Sequence, residues 1–405
     1  MHQRSVVKVG ASLLIASLAL SACGSRGGTS SSTSSGNKTA VIGVMAPFSG
    51  ALSALGLGIQ NSVKLAVKQA NAANAIPGWT LTVDAKDDQA VADVGKNAAT
   101  AFAAEPNVAG VVGNLNSSVS QSTQPVLATA KIVQVSPANT NPSLTQGANF
   151  ATAPVRTYPT YFRTCTTDAV QGPYAARYLF QTAGIKKVAT INDKKTYGQG
   201  LVAAFTQEYK KLGGIITDAE TVNPDESNFQ AVISKVKPTS PNAVYYGGEY
   251  PVAGPLSQQM KAAGLNVPLM GGDGIYDPKF IVLAGTTANG DLATSVGAPT
   301  DSLATGKKFL ADYAAAGYKE PAAAYGAYAF DAANAIINAL KVSLAGATDV
   351  ASARQATIDA LGKVSFAGVT GPVAFDKFGD STSRVLTVYK VTDLKWVPVN
   401  TEAFK

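Results

Sequence analysis

From Thr39 onward, short apolar runs alternate with stretches in which apolar positions recur every three to four residues. These two periods distinguish buried strands from amphipathic helices. Residues 40–48 (AVIGVMAPF) read as a strand, 58–73 as a helix, 79–85 as a strand and 91–104 as a helix. Strands follow at 108–112 and 132–135, with a helix between them ending near Lys131. The alternation resumes with a strand at 187–191 and a helix at 200–212, then strands at 243–246, 267–270 and 292–296. Strands alternating with helices at this spacing predict doubly wound parallel sheets. The last third differs: 303–316, 325–344 and 350–361 read as consecutive helices, and 372–375 and 384–391 as two strands around a turn at 377–380. One sheet does not hold this many elements comfortably, so two lobes are expected. In open parallel sheets ligands bind beyond the carboxyl ends of the strands, and the cleft between the lobes is then the default site.

The chain upstream of Thr39 has another character. Arg4 and Lys8 precede an apolar run at 9–19 (VGASLLIASLA), shorter than the roughly 20 residues that span a bilayer, and this is the pattern of a secretory signal. Leu20-Ser21-Ala22-Cys23 follows and resembles the bacterial lipoprotein box. That resemblance implies removal of residues 1–22 and a lipid on Cys23, which becomes the new N-terminus. Residues 24–38 (GSRGGTSSSTSSGNK) are small or polar, so 23–38 is expected to be a lipidated flexible tether carrying a globular body on the outer face of a membrane.

Composition narrows the chemistry. Losing Arg4 and Lys8 takes the 33 basic residues to 31 against 26 acidic ones, a net charge of +5 without the basic runs or interleaved aromatics of a nucleic-acid binder. The single histidine is His2, in the discarded segment, and the only cysteine besides Cys23 is Cys165. Nucleophilic catalysis through a serine–histidine or cysteine–histidine pair is thereby excluded, as is a histidine-bearing metal site. With Cys23 acylated there is no partner for an intramolecular disulfide, and Cys165 reads as a small buried apolar residue. Gly56-Leu57-Gly58 after the first strand lacks the third glycine of a dinucleotide fingerprint and is set aside. No cofactor or metal is implied.

Five polar loops follow predicted strands: 113–118 (GNLNSS), 136–140 (SPANT), 192–198 (NDKKTYG), 247–251 (GGEYP) and 271–274 (GGDG). Ser117 and Ser118 open a predicted helix, whose free N–H groups and hydroxyls suit an anion such as a carboxylate. Asn139 and Thr140 add donors. Asp273 and Glu249 are acceptors suited to an ammonium group. One side fits an anion and the other a cation, which is the polarity of an α-amino acid zwitterion.

In this context the chain resembles the periplasmic leucine/isoleucine/valine-binding proteins, the amino-acid branch of type I solute-binding proteins of ABC transporters. The resemblance rests on VIGVMAPFSG from Val41, Asp87-Asp88, SSVSQSTQP ending at Pro125, SPANT, QGPYAARYL from Gln171, DKKTYGQGL from Asp193, VYYGG from Val244, AAGL from Ala262 and GPVAFDKFGD from Gly371. It implies an α/β Venus-flytrap of two doubly wound lobes, 39–164 with 298–372 and 165–297 with 373–405, joined by three crossings near Thr164, Ala298 and Val373. It further implies a monomeric, non-enzymatic receptor, held outside the cytoplasm, that closes on a small amino acid and presents it to an ABC permease. Carried over by position, Ser117 contacts the ligand carboxylate, Ala138 and Thr140 hold both ligand ends, Tyr197 closes over the ligand and Asp273 pairs with its ammonium.

The chain departs from the family pattern in places. Leu55 and Glu249 stand where branched-chain binders have tyrosines, with Tyr250 beside the second, and the family's first-lobe disulfide positions are Ala90 and Asn116. The altered pocket wall leaves open the same receptor role for urea, a short amide, a polyamine or a small aromatic acid. A more distant alternative is an extracellular hydrolase using Asp273 and Glu249 as acid and base.

Overall fold

Two sheets organise the chain. The computed structural model describes residues 38–405, so the expected signal segment, Cys23 and nearly all of the tether lie outside the described residues. In the first sheet β1 (Lys38–Ala46), β2 (Trp79–Asp87), β3 (Val108–Gly113), β4 (Val133–Ser136) and β5 (Tyr161–Arg163) run parallel in the order β2-β1-β3-β4-β5. The second begins with β6 (Lys187–Asn192), β7 (Ile215–Thr221), β8 (Ala243–Gly247), β9 (Leu269–Gly271) and β10 (Leu292–Ser295), parallel in the order β7-β6-β8-β9-β10. The two orders are the same winding used twice. A separate hairpin pairs β11 (Ser365–Gly368) with β12 (Gly371–Ala374). Finally β13 (Val385–Thr392) and β14 (Lys395–Ala403) extend the second sheet antiparallel beyond β10.

The central strands bury both faces, which is why they read as continuous apolar runs rather than alternating ones. All six residues of β3 (VAGVVG) and all five of β8 (AVYYG) are buried. Helices Ser53–Ala72 and Gly326–Ser343 pack together against the first sheet, with Ile59, Val63, Ile336 and Leu340 inside. Phe205 stacks on Tyr245 at 3.7 Å between ring centres and closes one face of the second sheet. The α/β class and the doubly wound lobes are those expected. Among the described residues no helix is long and apolar enough to cross a membrane.

The chain passes between the sheets after β5, after β10 and before β13. The last passage differs from expectation. Gly371–Ala374 forms its own hairpin instead of entering the second sheet, because the Asp331 carboxylate receives the N–H groups of Val369 and Thr370, each at 2.9 Å. The turn that follows also stays with the first sheet: Arg163 N donates to Gly379 O at 3.0 Å and the Arg163 guanidinium pairs with Asp380 at 2.7 Å. The chain therefore leaves the first lobe after Asp380 rather than near Val373. At the first crossing Cys165 is buried against Val296 and Tyr328.

Candidate ligand-binding site

The first lobe builds its wall from neutral hydrogen bonds. Gly113, at the end of β3, sits at φ +136°, and a Cβ there would lie 2.1 Å from Met45 O, so only glycine lets the chain turn off the sheet. Asn114 is then held from several sides. Its Nδ2 donates to Asp88 Oδ2 at 2.8 Å, its Oδ1 accepts from Thr123 Oγ1 at 2.9 Å and Gln134 Nε2 at 3.1 Å, and its carbonyl accepts from Ser136 Oγ at 2.8 Å. This network delivers Asn116 and Ser117 to the start of helix Ser117–Thr129. The first N–H groups of a helix lack partners within it and carry its positive end, so Ser117 presents donors suited to an anion.

At the end of β4 the Ser136 hydroxyl also accepts from Asn139 N at 2.9 Å and turns Ala138 toward the cleft. Asn139 itself is spent on the framework: its Oδ1 accepts from Tyr161 OH at 2.8 Å and from the Ser120 hydroxyl, and its Nδ2 donates to Leu115 O at 2.7 Å. Asn139 is fully buried and does not line the cavity, so its side chain serves the framework in this closed arrangement. Thr140 is buried with an unpartnered hydroxyl but lies behind the cavity wall, and Ser118 is half-buried outside it.

The second lobe contributes charge. Asp273 begins the short turn after β9; its Oδ1 accepts from Gln171 Nε2 and Tyr197 OH, and its Oδ2 from Tyr325 OH, each at 2.8 Å. Burial pushes its carboxyl up to about 6, against the pull of the tyrosine hydroxyls. The neighbouring Asp168 is pushed up to about 8 by burial and then by the Asp273 charge, so the two carboxyls disfavour each other's ionisation. Tyr197 opens helix Thr196–Lys211 and also accepts from Gly274 N at 3.1 Å.

Glu249 reaches across the cleft. Its Oε1 accepts from Asn116 Nδ2 at 2.7 Å, and its Oε2 pairs with Lys195 Nζ at 3.3 Å. Burial, and then the Glu249 charge, push the adjacent Asp193 up to about 8. Further bonds join the two lobes: Asn141 Nδ2 donates to Thr196 O at 2.8 Å, Thr196 Oγ1 donates to Gln121 Oε1 at 2.9 Å, and Tyr250 OH donates to Ala51 O. The lobes are closed on each other.

Between the walls lies a cavity of about 20 Å³. Of the eight expected ligand residues it brings together Ser117, Ala138, Tyr197, Glu249 and Asp273, and leaves out Ser118, Asn139 and Thr140. Leu55 and Leu115 add an apolar side, and Asn116, Gly274 and Tyr325 complete the lining. Tyr325 escaped the sequence reading. It immediately precedes helix Gly326–Ser343 in the chain's last third, and no motif sets it apart from the tyrosines nearby. Among the described residues no cluster of three or more histidine, cysteine or acidic side chains could hold a metal.

Residues 39–395 match the family described as periplasmic binding protein. A Leu/Ile/Val-binding protein homolog 1 from Brucella abortus is 33% identical over 350 residues, covering 86% of this chain and 90% of that relative. Among solved structures, the branched-chain amino acid transporter substrate binding protein LivJ of Streptococcus pneumoniae, in complex with isoleucine, aligns with a TM-score of 0.78. It is 27% identical and covers 90% of this chain and 99% of its own. The leucine binding protein LivK of Thermotoga maritima aligns with a TM-score of 0.78 at 25% identity, covering 89% and 98% respectively.

Proposed function

The chain belongs to the periplasmic binding protein family, and from that premise we propose that it captures a small amino acid between its lobes and delivers it to the permease of an ABC importer. Members of the family are substrate-binding proteins rather than enzymes, and membership implies an extracytoplasmic place of work. The observation that carries the reading is the opposition across one small cavity of Asp273, buried and ringed by hydroxyl and amide donors, to the donor-rich helix start at Ser117. By chemistry an ammonium group matches the first and a carboxylate the second.

The remaining lining supports a neutral, apolar side chain. Leu55 and Leu115 supply the apolar side. Glu249 already meets Asn116 and Lys195, so its charge is balanced without a cationic ligand group. The Leu/Ile/Val-binding relatives and the isoleucine-bound neighbour agree with this choice. The reading also includes a lipid on Cys23, which would hold the receptor near its permease at a high effective concentration; Cys23→Ser should release the chain from the membrane fraction and leave ligand affinity unchanged.

Thermal unfolding against a panel of α-amino acids, amides, polyamines and aromatic acids tests the ligand class. A ligand at a hundred times its dissociation constant adds about 2.7 kcal/mol. The expected outcome is a raised midpoint with leucine, isoleucine or valine and none with benzoate or urea. A panel in which no α-amino acid moves the midpoint sinks the reading.

A further inference from the structure

The cleft is not the roomiest concavity among the described residues. A cavity of about 530 Å³ opens on the other side of the lobe junction, bounded by Tyr276, Tyr328, Tyr389 and Trp396 together with the second crossing at Ala298 and Pro299. Its aromatic wall is rigidly built. Tyr276 stacks on Tyr389 with 4.1 Å between ring centres, Trp396 leans on Tyr276 at 5.8 Å, and Trp396 Nε1 donates to Asp277 O at 3.0 Å. Tyr328 brings its hydroxyl against the crossing, where a Cβ on Gly297 would lie 1.9 Å from that oxygen.

Two short segments separate this cavity from the cleft. In one, Asp273 and Gly274 face the cleft while Tyr276 and Pro278 face the rear cavity. In the other, Tyr325 faces the cleft and donates to Asp273, while Ala323, Ala324 and Tyr328 face the rear. Each cavity thus shares a wall with the other, and both lobes line each of them.

We propose that this rear cavity is a second binding site, for a small neutral aromatic molecule of the phenol or indole class, and that its occupant holds the lobes closed. The aromatic lining and the volume, within the range of roughly 300–1,000 Å³ typical of organic-ligand sites, suit one or two fused rings. Ser295, Thr300 and the tyrosine hydroxyls offer a polar substituent its partners. At the rim Asp301 and Lys395 are both exposed and opposite in sign, so the site asks for no net charge. Rotation that parts the lobes at the cleft brings them together on the far side of the crossings. An occupant there opposes that rotation, and by linkage it tightens the cleft ligand as much as the cleft ligand tightens it.

The test uses 4-bromophenol and the full chain. Calorimetry should show saturable binding by the wild type and by Asp273→Ala, which lacks the cleft acid, and at least tenfold weaker binding by Leu310→Trp. Leu310 lies at the exposed rim on helix Ala304–Ala315, where a larger side chain fills the mouth without entering the core. Anomalous diffraction should place the bromine among Tyr276, Tyr389 and Trp396. Bromine in the cleft, equal binding by Leu310→Trp, or a bromine peak without saturable heat (binding at crystal concentration only) overturns the site. These readouts need no cleft ligand, so they stand apart from failure of the amino-acid reading. The coupling rests on that reading: whichever amino acid raises the midpoint should bind about fivefold or more tightly with 4-bromophenol present, and unchanged affinity overturns the wedge.

Discussion

The two lobes reach the cleft with opposite chemistry. The first lobe's wall is a lattice of amides and hydroxyls radiating from Asn114, neutral except for the Asp88 carboxylate behind it, where burial pushes the pKa up to about 6. The second lobe brings the charges: Asp273 among its donors, and Glu249 between Lys195 and Asn116. Neutral lattices hold backbone geometry without a large desolvation cost, whereas a buried carboxylate needs a counter-charge to be comfortable. The difference teaches a division of labour: the first lobe supplies a preformed shape and the second supplies the electrostatic demand that a bound cation satisfies.

The largest effect expected is on the first lobe's frame. Arg163 is fully buried, paired with Asp380, and donates to the carbonyls of Asn139 and Asn141 at 2.6 and 3.0 Å. Arg163→Ala leaves Asp380 without its partner and should cost roughly 3–5 kcal/mol of stability, read from chemical denaturation. A loss below about 1 kcal/mol would show that the shape is not held there.

Breaking the second lobe's side comes next. Asp273→Ala should weaken amino-acid binding by roughly 2–5 kcal/mol, measured by titration calorimetry, with the fold retained. Unchanged affinity would mean that the ligand has no ammonium group.

A pH series sharpens the same point. Burial pushes the Asp273 carboxyl up to about 6, so the acid gains its charge as pH rises through that region and loses it below. Amino-acid affinity should be flat above pH 7 and fall toward tenfold per pH unit well below pH 6. The sign for folding is opposite: Asp273 binds its proton more tightly in the folded chain, so its titration lowers stability as pH rises from about 4 to about 6. An affinity profile that stays flat down to pH 5 contradicts the assignment.

The smallest effect belongs to Glu249. Glu249→Gln keeps an acceptor for Asn116 and loses the partly exposed pair with Lys195, so neutral amino-acid affinity should change by about 1 kcal/mol or less. A new preference for acidic ligands would instead show Glu249 in direct contact with the ligand side chain.

Much of the frame was legible because burial on both faces writes itself into the chain as apolar runs. The 108–112 run matches β3 (Val108–Gly113) to within one residue, and 350–361 matches helix Val350–Leu361. Short or half-exposed elements were not legible. β5 has three residues, and β14 is mostly exposed, so neither carries a period. The place of Asp273 on the cavity was legible because a glycine-flanked acid after a strand stands out. The burial of Asn139 away from the cavity was not legible for the same reason that Tyr325 was missed: local sequence shows which groups a residue owns, but not which partners claim them.

By itself the sequence determined two doubly wound parallel sheets and the loops that form the cleft, because these follow from local periodicity and residue type. Tertiary structure alone decided that Asn139 serves the frame, that Tyr325 donates to Asp273 from more than fifty residues away, that the chain leaves the first lobe after Asp380, and that a second cavity backs the cleft. Each depends on which distant side chain satisfies a buried polar group or leaves a space unfilled. That is settled only when the lobes pack.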